Sequence, residues 1–168
     1  MCDTKKPVKQ KFGWSLPHNR HWVNAVKQND WVSKLNQLSK HRLYKNMKQN
    51  YNMGNYLSMN ISKSHRSLLA QFRCGILPIR IETGRYRGEP VSDRLCTLCS
   101  QDNVEDEYHF LLHCIKYSSL RTKFFNNIGY LSTPLMSDLD CIKFLLTNFP
   151  RQTAKFINSA YMYRQSLL

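Results

Sequence analysis

The stretch CTLCSQDNVEDEYHFLLHC, residues 96–114, holds three cysteines, two histidines and four acidic residues in nineteen positions. Its spacing is Cys96-x2-Cys99-x9-His109-x4-Cys114. A Cys-x2-Cys pair puts two thiolates on one tight turn, with backbone amides turned toward the sulfurs. Structural zinc takes four Cys or His donors in a tetrahedron, and a His-x4-Cys gap lies in the range used for a second ligand pair. The segment therefore predicts a zinc knuckle, with Zn2+ as the cofactor. The competing account, an amphipathic helix beside two ordinary cysteines, leaves both pairs unexplained. A redox dithiol is disfavoured because no βαβ pattern surrounds the pair.

The fourth ligand has two candidates. His113 lies four residues after His109, on the same face of a regular helix. Cys114 lies five after it, about 140° round an ideal helix. It reaches the metal only if the helix ends or tightens first. Cys96, Cys99, His109 and Cys114 form one set; His113 replaces Cys114 in the other. Cys2, Cys74 and Cys141 lack ligand spacing, and Cys74 and Cys141 read as buried thiols. The helix carrying the second pair is under three turns and marginal alone. Structural zinc supplies on the order of 10 kcal/mol, enough to fix it.

Outward from the knuckle the charge reverses. Residues 1–95 carry 18 Lys and Arg against 5 acids. Residues 96–115 carry no Lys or Arg and 4 acids, and residues 116–168 carry 7 Lys and Arg against 2 acids. The whole 168-residue chain has a net charge of +14. Such a field favours a polyanionic partner, RNA or DNA before others. The opening MCDTKKPVKQK has no apolar core of a signal peptide, and no apolar run is long enough to span a membrane. The expectation is a nuclear or cytoplasmic protein, not secreted and with no membrane partner, whose thiols stay reduced.

The pattern predicts a mostly α fold: a small helical domain organised around the Cys/His knuckle, with at most one short strand pair beside it. Residues 1–20 read as a basic arm broken by Pro7, Gly13 and Pro17, and 21–63 as a basic helical flank. Within the flank, 21–49 has helical apolar spacing and 50–56 marks a break. Residues 64–130 form the zinc-binding core and 131–168 the C-terminal helices. A core helix starts near Ser64 as N-cap, presents Leu68, Leu69 and Phe72, and ends at Gly75. PIRIETGRYRGEP, residues 78–90, reads as a short strand or extended loop. NVEDEYHFLL, residues 103–112, reads as a short helix capped by Asp102 or Asn103, with acids in its first turn where the helix dipole favours them. Tyr117, Leu120, Phe124 and Ile128 mark another helix. Residues 132–140 form a connection, and 141–149 and 152–165 are two helices split at Pro150.

The segment from Leu68 onward strongly resembles the zinc-binding region found downstream of the polymerase in reverse-transcriptase-like proteins of non-LTR retrotransposons. The residues that carry the resemblance are the helix ending in FRCG, then IETGRY, RLCTLC, VEDEYHFLLHC and KYSSLR. The resemblance implies Cys96, Cys99, His109 and Cys114 as the ligands. It extends more weakly to SKLNQLSKHRLYKNMKQNYNMGNYL and to FLLTNFPRQTAKFINSAYMYRQ, covering roughly residues 31–165. Ile115 departs from the Pro that the family usually has after the last Cys. The sequence lacks the adjacent aspartates a polymerase needs for its metals, and has no Gly-rich phosphate loop.

Three functions are weighed. The first is a non-catalytic nucleic-acid-binding module. Its candidate contacts are Lys40, Arg42, Lys45, Lys48, Arg66, Arg73, Arg80, Arg85, Arg87 and Arg94. Tyr86, between two arginines, is a candidate for stacking on an unpaired base, although packing is the more ordinary role. The second is a structural or protein-interaction zinc module, with a reverse transcriptase or another protein as partner. The third, a nuclease using Asp138 and Asp140, is disfavoured for want of further acids.

Overall fold

The computed structural model describes residues 16–38, 40–48, 50–129 and 136–168. The expected arm at 1–20 lies outside them up to residue 15, as do Cys2 and positions 132–135 of the expected connection. The chain is mostly helical, and its β pairing among the described residues is one bridge, Leu95 with Val104.

Helix α1 spans Leu16–Gln37 and α2 spans Arg42–Met47. Pro17 therefore sits in the first turn of a helix rather than in a broken arm, a position where proline lacks no needed N–H. The helical pattern over 21–49 is divided because His41 takes a left-handed φ of 64°. Histidine is one of the few side chains enriched there. Its Nδ1–H donates to the Cys74 carbonyl at 3.0 Å, pinning the turn to the end of the next helix. Trp31 meets Tyr44 edge-on, with ring centres 6.4 Å apart, and Leu35 and Leu43 are buried.

After a 3-10 turn at Asn55–Leu57, α3 runs over Lys63–Cys74. Ser62, not Ser64, is its cap: the His65 amide donates to Ser62 Oγ at 3.4 Å. Gly75, at φ 67°, ends it as expected, and Leu69 and Phe72 are fully buried. Cys74 is only half-buried, so the expectation of a buried thiol holds for Cys141 alone.

The expected strand at 78–90 is instead α4, Arg80–Tyr86. The alternation of Ile79 and Ile81 suggested extension, but the deciding partner lies 25 residues away. Glu105 accepts the Arg80 amide on its carboxylate at 2.8 Å and the Ile81 amide on its carbonyl at 3.0 Å. Two of the amides that a helix start leaves unpaired are thereby satisfied. Gly84 is required inside α4, since a Cβ there would sit 2.6 Å from both Arg94 Cγ and Glu89 Oε2.

The knuckle follows as a hairpin. The Cys96 amide donates to the Asn103 carbonyl at 2.8 Å, and the Glu105 amide to the Arg94 carbonyl at 3.0 Å. Neither Asp102 nor Asn103 caps the following helix. Asp102 lies in the hairpin turn at φ 50°, and Asp106 Oδ1 accepts the His109 amide at 2.8 Å. Residues His109–His113 form a π-turn, followed by a 3-10 turn at Ile115–Tyr117 and by α5, Ser118–Ile128. Capped by Ser137, α6 spans Asp138–Asn148, and α7 spans Pro150–Ser166 with Pro150 in its first turn. The helix α3 packs on α7, which also receives α5 and α6, while α2 packs on α3. Leu69, Phe72, Phe110, Tyr117, Ile142, Leu145 and Ile157 lie in one continuous core that reaches Cys96, Cys99 and Cys114. Burying each such side chain contributes roughly 1.5–3 kcal/mol.

Candidate metal centre

Cys96 and Cys99 enter from the hairpin and His109 and Cys114 from the two ends of the π-turn; all four are buried. Their donor atoms lie within 4.8 Å of one another. Cys96 Sγ is 3.9 Å from Cys114 Sγ, and Cys99 Sγ is 3.3 Å from His109 Nε2. A tetrahedral ion with bonds of ~2.3 Å to sulfur and ~2.0 Å to nitrogen needs ligand separations of about 3.5–3.8 Å. The four residues are thus arranged to hold a metal ion. Among the described residues no other group of Cys, His, Asp or Glu is so arranged.

Cys114 belongs to this cluster because the helix loosens, where the sequence suggested that it must end or tighten. The Cys114 amide donates to the His109 carbonyl at 2.8 Å, an i→i+5 bond. The wider turn brings residues five apart to nearly the same side. His113 points away, is exposed, and pairs with Asp138 Oδ2 at 2.7 Å.

The local electrostatics prepare the site for a cation. The Cys96 thiol is pushed well down, first by the hydrogen bond from the Cys114 thiol, against burial, and then by His109 and the amides of Leu98 and Cys99. Cys114 is pushed up, first by its bond to Cys96 and then by burial. Burial also pushes Cys99 up, while the Gln101 amide works in the opposite direction. One thiolate is favoured; two more need a positive ion to offset them. The amides of Leu98, Gln101 and Lys116 each lie two residues beyond a cysteine whose charged form they favour. His109 Nδ1 is buried without a hydrogen-bond partner, so no hydrogen bond at Nδ1 explains the ring's burial, whereas the placement of Nε2 does.

The acidic run has structural work that the sequence reading assigned to the helix dipole. Glu105, fully buried, takes Arg164 of α7 through bonds of 2.8 and 2.9 Å. Glu107, also buried, takes Arg42 of α2 through bonds of 2.6 and 2.8 Å. Burial pushes the Glu107 carboxyl up, and the Arg42 charge offsets only part of this. Arg121 of α5 donates from Nε to the Leu111 carbonyl at 2.9 Å and from Nη2 to the Cys114 carbonyl at 2.8 Å. None of these partners was named from sequence. The available signal was an excess of acids in a basic chain, which says that arginines must come but not which ones.

The ten basic residues suggested for nucleic acid divide accordingly. Arg42 pairs with Glu107, Arg80 with Glu89 at 2.7 Å, and Arg85 with the buried Glu82 at 2.6 Å. Arg66 donates to the Ile61 carbonyl at 2.8 Å, and Arg94 to the carbonyls of Ile81 and Glu89. Arg73 lies over the Tyr56 ring, Lys45 bonds the carbonyls of Asn36 and Leu38, and Lys48 bonds Asn52. Lys40 and Arg87 remain exposed, and Arg87 is 3.7 Å from Glu89. Tyr86 is not packed in the core: it is 70% exposed, with Arg85 4.4 Å and Lys40 5.8 Å from its ring centre. Asp138 and Asp140, the suggested nuclease pair, are engaged by His113 and by Ser137.

No protein-family model, curated protein or solved structure matches the chain. Among the described residues, no helix is long and apolar enough to cross a membrane.

Proposed function

We propose that the chain is a non-catalytic module, organised by a structural zinc ion, that binds RNA or DNA on the basic face around Tyr86. The buried set of Cys96, Cys99, His109 and Cys114 carries this reading. Three thiolates and an imidazole suit zinc, and four protein donors leave no open position for a substrate. The nucleic-acid part is supported by the net charge of +14 and by Tyr86, an exposed ring with Lys40 and Arg85 beside it and the exposed Arg87 next in sequence. An aromatic face serves an unpaired base, and cations around it serve the phosphates. Descent from the region beside a retroelement polymerase would place such a module next to its nucleic acid.

The test is anisotropy binding of short single-stranded RNA and of duplex DNA across a salt series, with zinc-loaded and chelator-stripped protein. Binding that falls with salt by several log units per log unit, and is lost on stripping, is expected. Binding indifferent to salt would sink the nucleic-acid reading, and purified protein without zinc would sink the metal reading.

A second reading, a protein-interaction module, is favoured by α1. Trp22 and Val26 are four residues apart on that helix and 66% and 46% exposed. A large partner-dependent change in tryptophan fluorescence, with no nucleic-acid binding, would select it.

A further inference from the structure

The π-turn that carries Cys114 to the cluster ends the ligand helix, and the last carbonyls of any helix lack partners within it. Arg121 reaches two carbonyls at this end, of which that of Cys114 also accepts the Tyr117 amide at 3.2 Å. Its Nε–H donates to the Leu111 carbonyl at 2.9 Å and its Nη2–H to the Cys114 carbonyl at 2.8 Å. Leu111 lies inside the π-turn and Cys114 is the residue that the turn delivers. A rigid fork of donors suits this bridging task.

Charge gives a second, separate indication. Arg42, Arg80, Arg85 and Arg164 each pair with a carboxylate. Arg121 is half-buried and, like Arg66 and Arg94, bonds carbonyls and no carboxylate among the described residues; of these three it alone bonds the carbonyl of a candidate metal ligand. Three thiolates, a neutral imidazole and a divalent ion leave a net charge of about −1 at the centre. A fixed cation bonded to the carbonyl of one ligand residue is the complement to that surplus.

We propose that Arg121 is a positioning residue of the metal centre. It locks the widened turn that presents Cys114, and it offsets the surplus negative charge of a three-thiolate site. This rests on the zinc reading above.

Cobalt(II) is the probe, because its spectrum reports both coordination number and thiolate count. Wild-type protein is expected to show tetrahedral d–d bands and strong sulfur-to-cobalt charge transfer. In Arg121→Ala the charge-transfer intensity per bound cobalt should fall, by up to about a third, as Cys114 leaves the ion in a fraction of the molecules. Its cobalt affinity should fall roughly 10–100-fold, the usual cost of losing an outer-sphere partner. Arg121→Lys, which keeps the charge and one donor, should recover most of the spectrum. If the alanine variant does not fold, Arg121→Gln replaces it, with the same loss of intensity expected. An unchanged spectrum and affinity in the folded variant, with only a lower melting temperature, would overturn the proposal and leave Arg121 a structural residue. A wild-type protein that took up no cobalt would instead overturn the metal reading beneath it.

Discussion

Glu105 and Arg164 stand 59 positions apart in sequence and meet through two N–H···O bonds of 2.8 and 2.9 Å, both side chains buried. The same carboxylate accepts the first amide of α4. One acid of the knuckle thus holds a neighbouring helix start and the terminal helix together.

Removing one partner of a buried pair leaves an uncompensated charge, which costs roughly 3–5 kcal/mol. Arg164→Met should therefore destabilise the zinc-loaded protein by about that much in urea unfolding. Adding Glu105→Gln should recover part of the loss, since the stranded charge is gone and an amide oxygen can still accept from Arg80. A double variant no more stable than the single one would contradict this account.

Ligand identity is separable at adjacent positions. Cys114→Ala should reduce metal affinity by more than about 100-fold, beyond the usual cost of an outer-sphere change. His113→Ala should leave bound metal unchanged and remove only the exposed contact to Asp138. Metal content after dialysis against a weak chelator measures both, and the reverse order would exchange the two residues as ligands.

Glu107 gives a pH test. Its carboxyl is raised in the folded chain by burial, so the folded state holds this proton more tightly than the unfolded chain, whose value is near 4.5. Stability then falls as pH rises from about that value through the raised one. Glu107→Gln has no such proton to release. Wild-type stability relative to the variant should decline with rising pH across that window, as measured by urea unfolding at matched metal loading. A relative gain would mean that Arg42 outweighs burial.

The basic residues should divide by function. Tyr86→Ala should weaken single-strand binding by roughly 1–3 kcal/mol with little change in melting temperature, because the ring is exposed. Arg87→Ala should lower the salt slope by about 1. Arg94→Ala should do the opposite of both, lowering stability while leaving the slope alone, because its guanidinium is spent on the carbonyls of Ile81 and Glu89. Equal effects of Arg87 and Arg94 on binding would argue against a face centred on Tyr86.

What could be read beforehand was what local spacing encodes. The Cys-x2-Cys pair, the helix ending at Gly75 and the apolar spacing of Tyr117, Leu120, Phe124 and Ile128 each act within a few residues, and all are found. What escaped was set from a distance. Residues 80–86 are helical with Glu105 bonded to their first amides, and Glu107 looked like a dipole-stabilising acid until Arg42 was seen on it. Spacing on an ideal helix does not separate Cys114 from His113, because the turn that delivers Cys114 is widened. Of the ten basic residues suggested for nucleic acid, most are committed to carboxylates, carbonyls or rings within the chain, which composition does not reveal.

The hairpin and π-turn also imply an order of assembly. The outermost of the four donors stand 18 positions apart, while the acids between them reach partners 59 and 65 positions away. Closing a short loop costs less chain entropy than closing a long one, and the contacts it makes are fast. Metal capture can therefore come first, fixing Glu105 and Glu107 side by side before either arginine arrives. Refolding with metal present from the start should then be faster than refolding followed by metal addition, with docking of the α7 end as the late event.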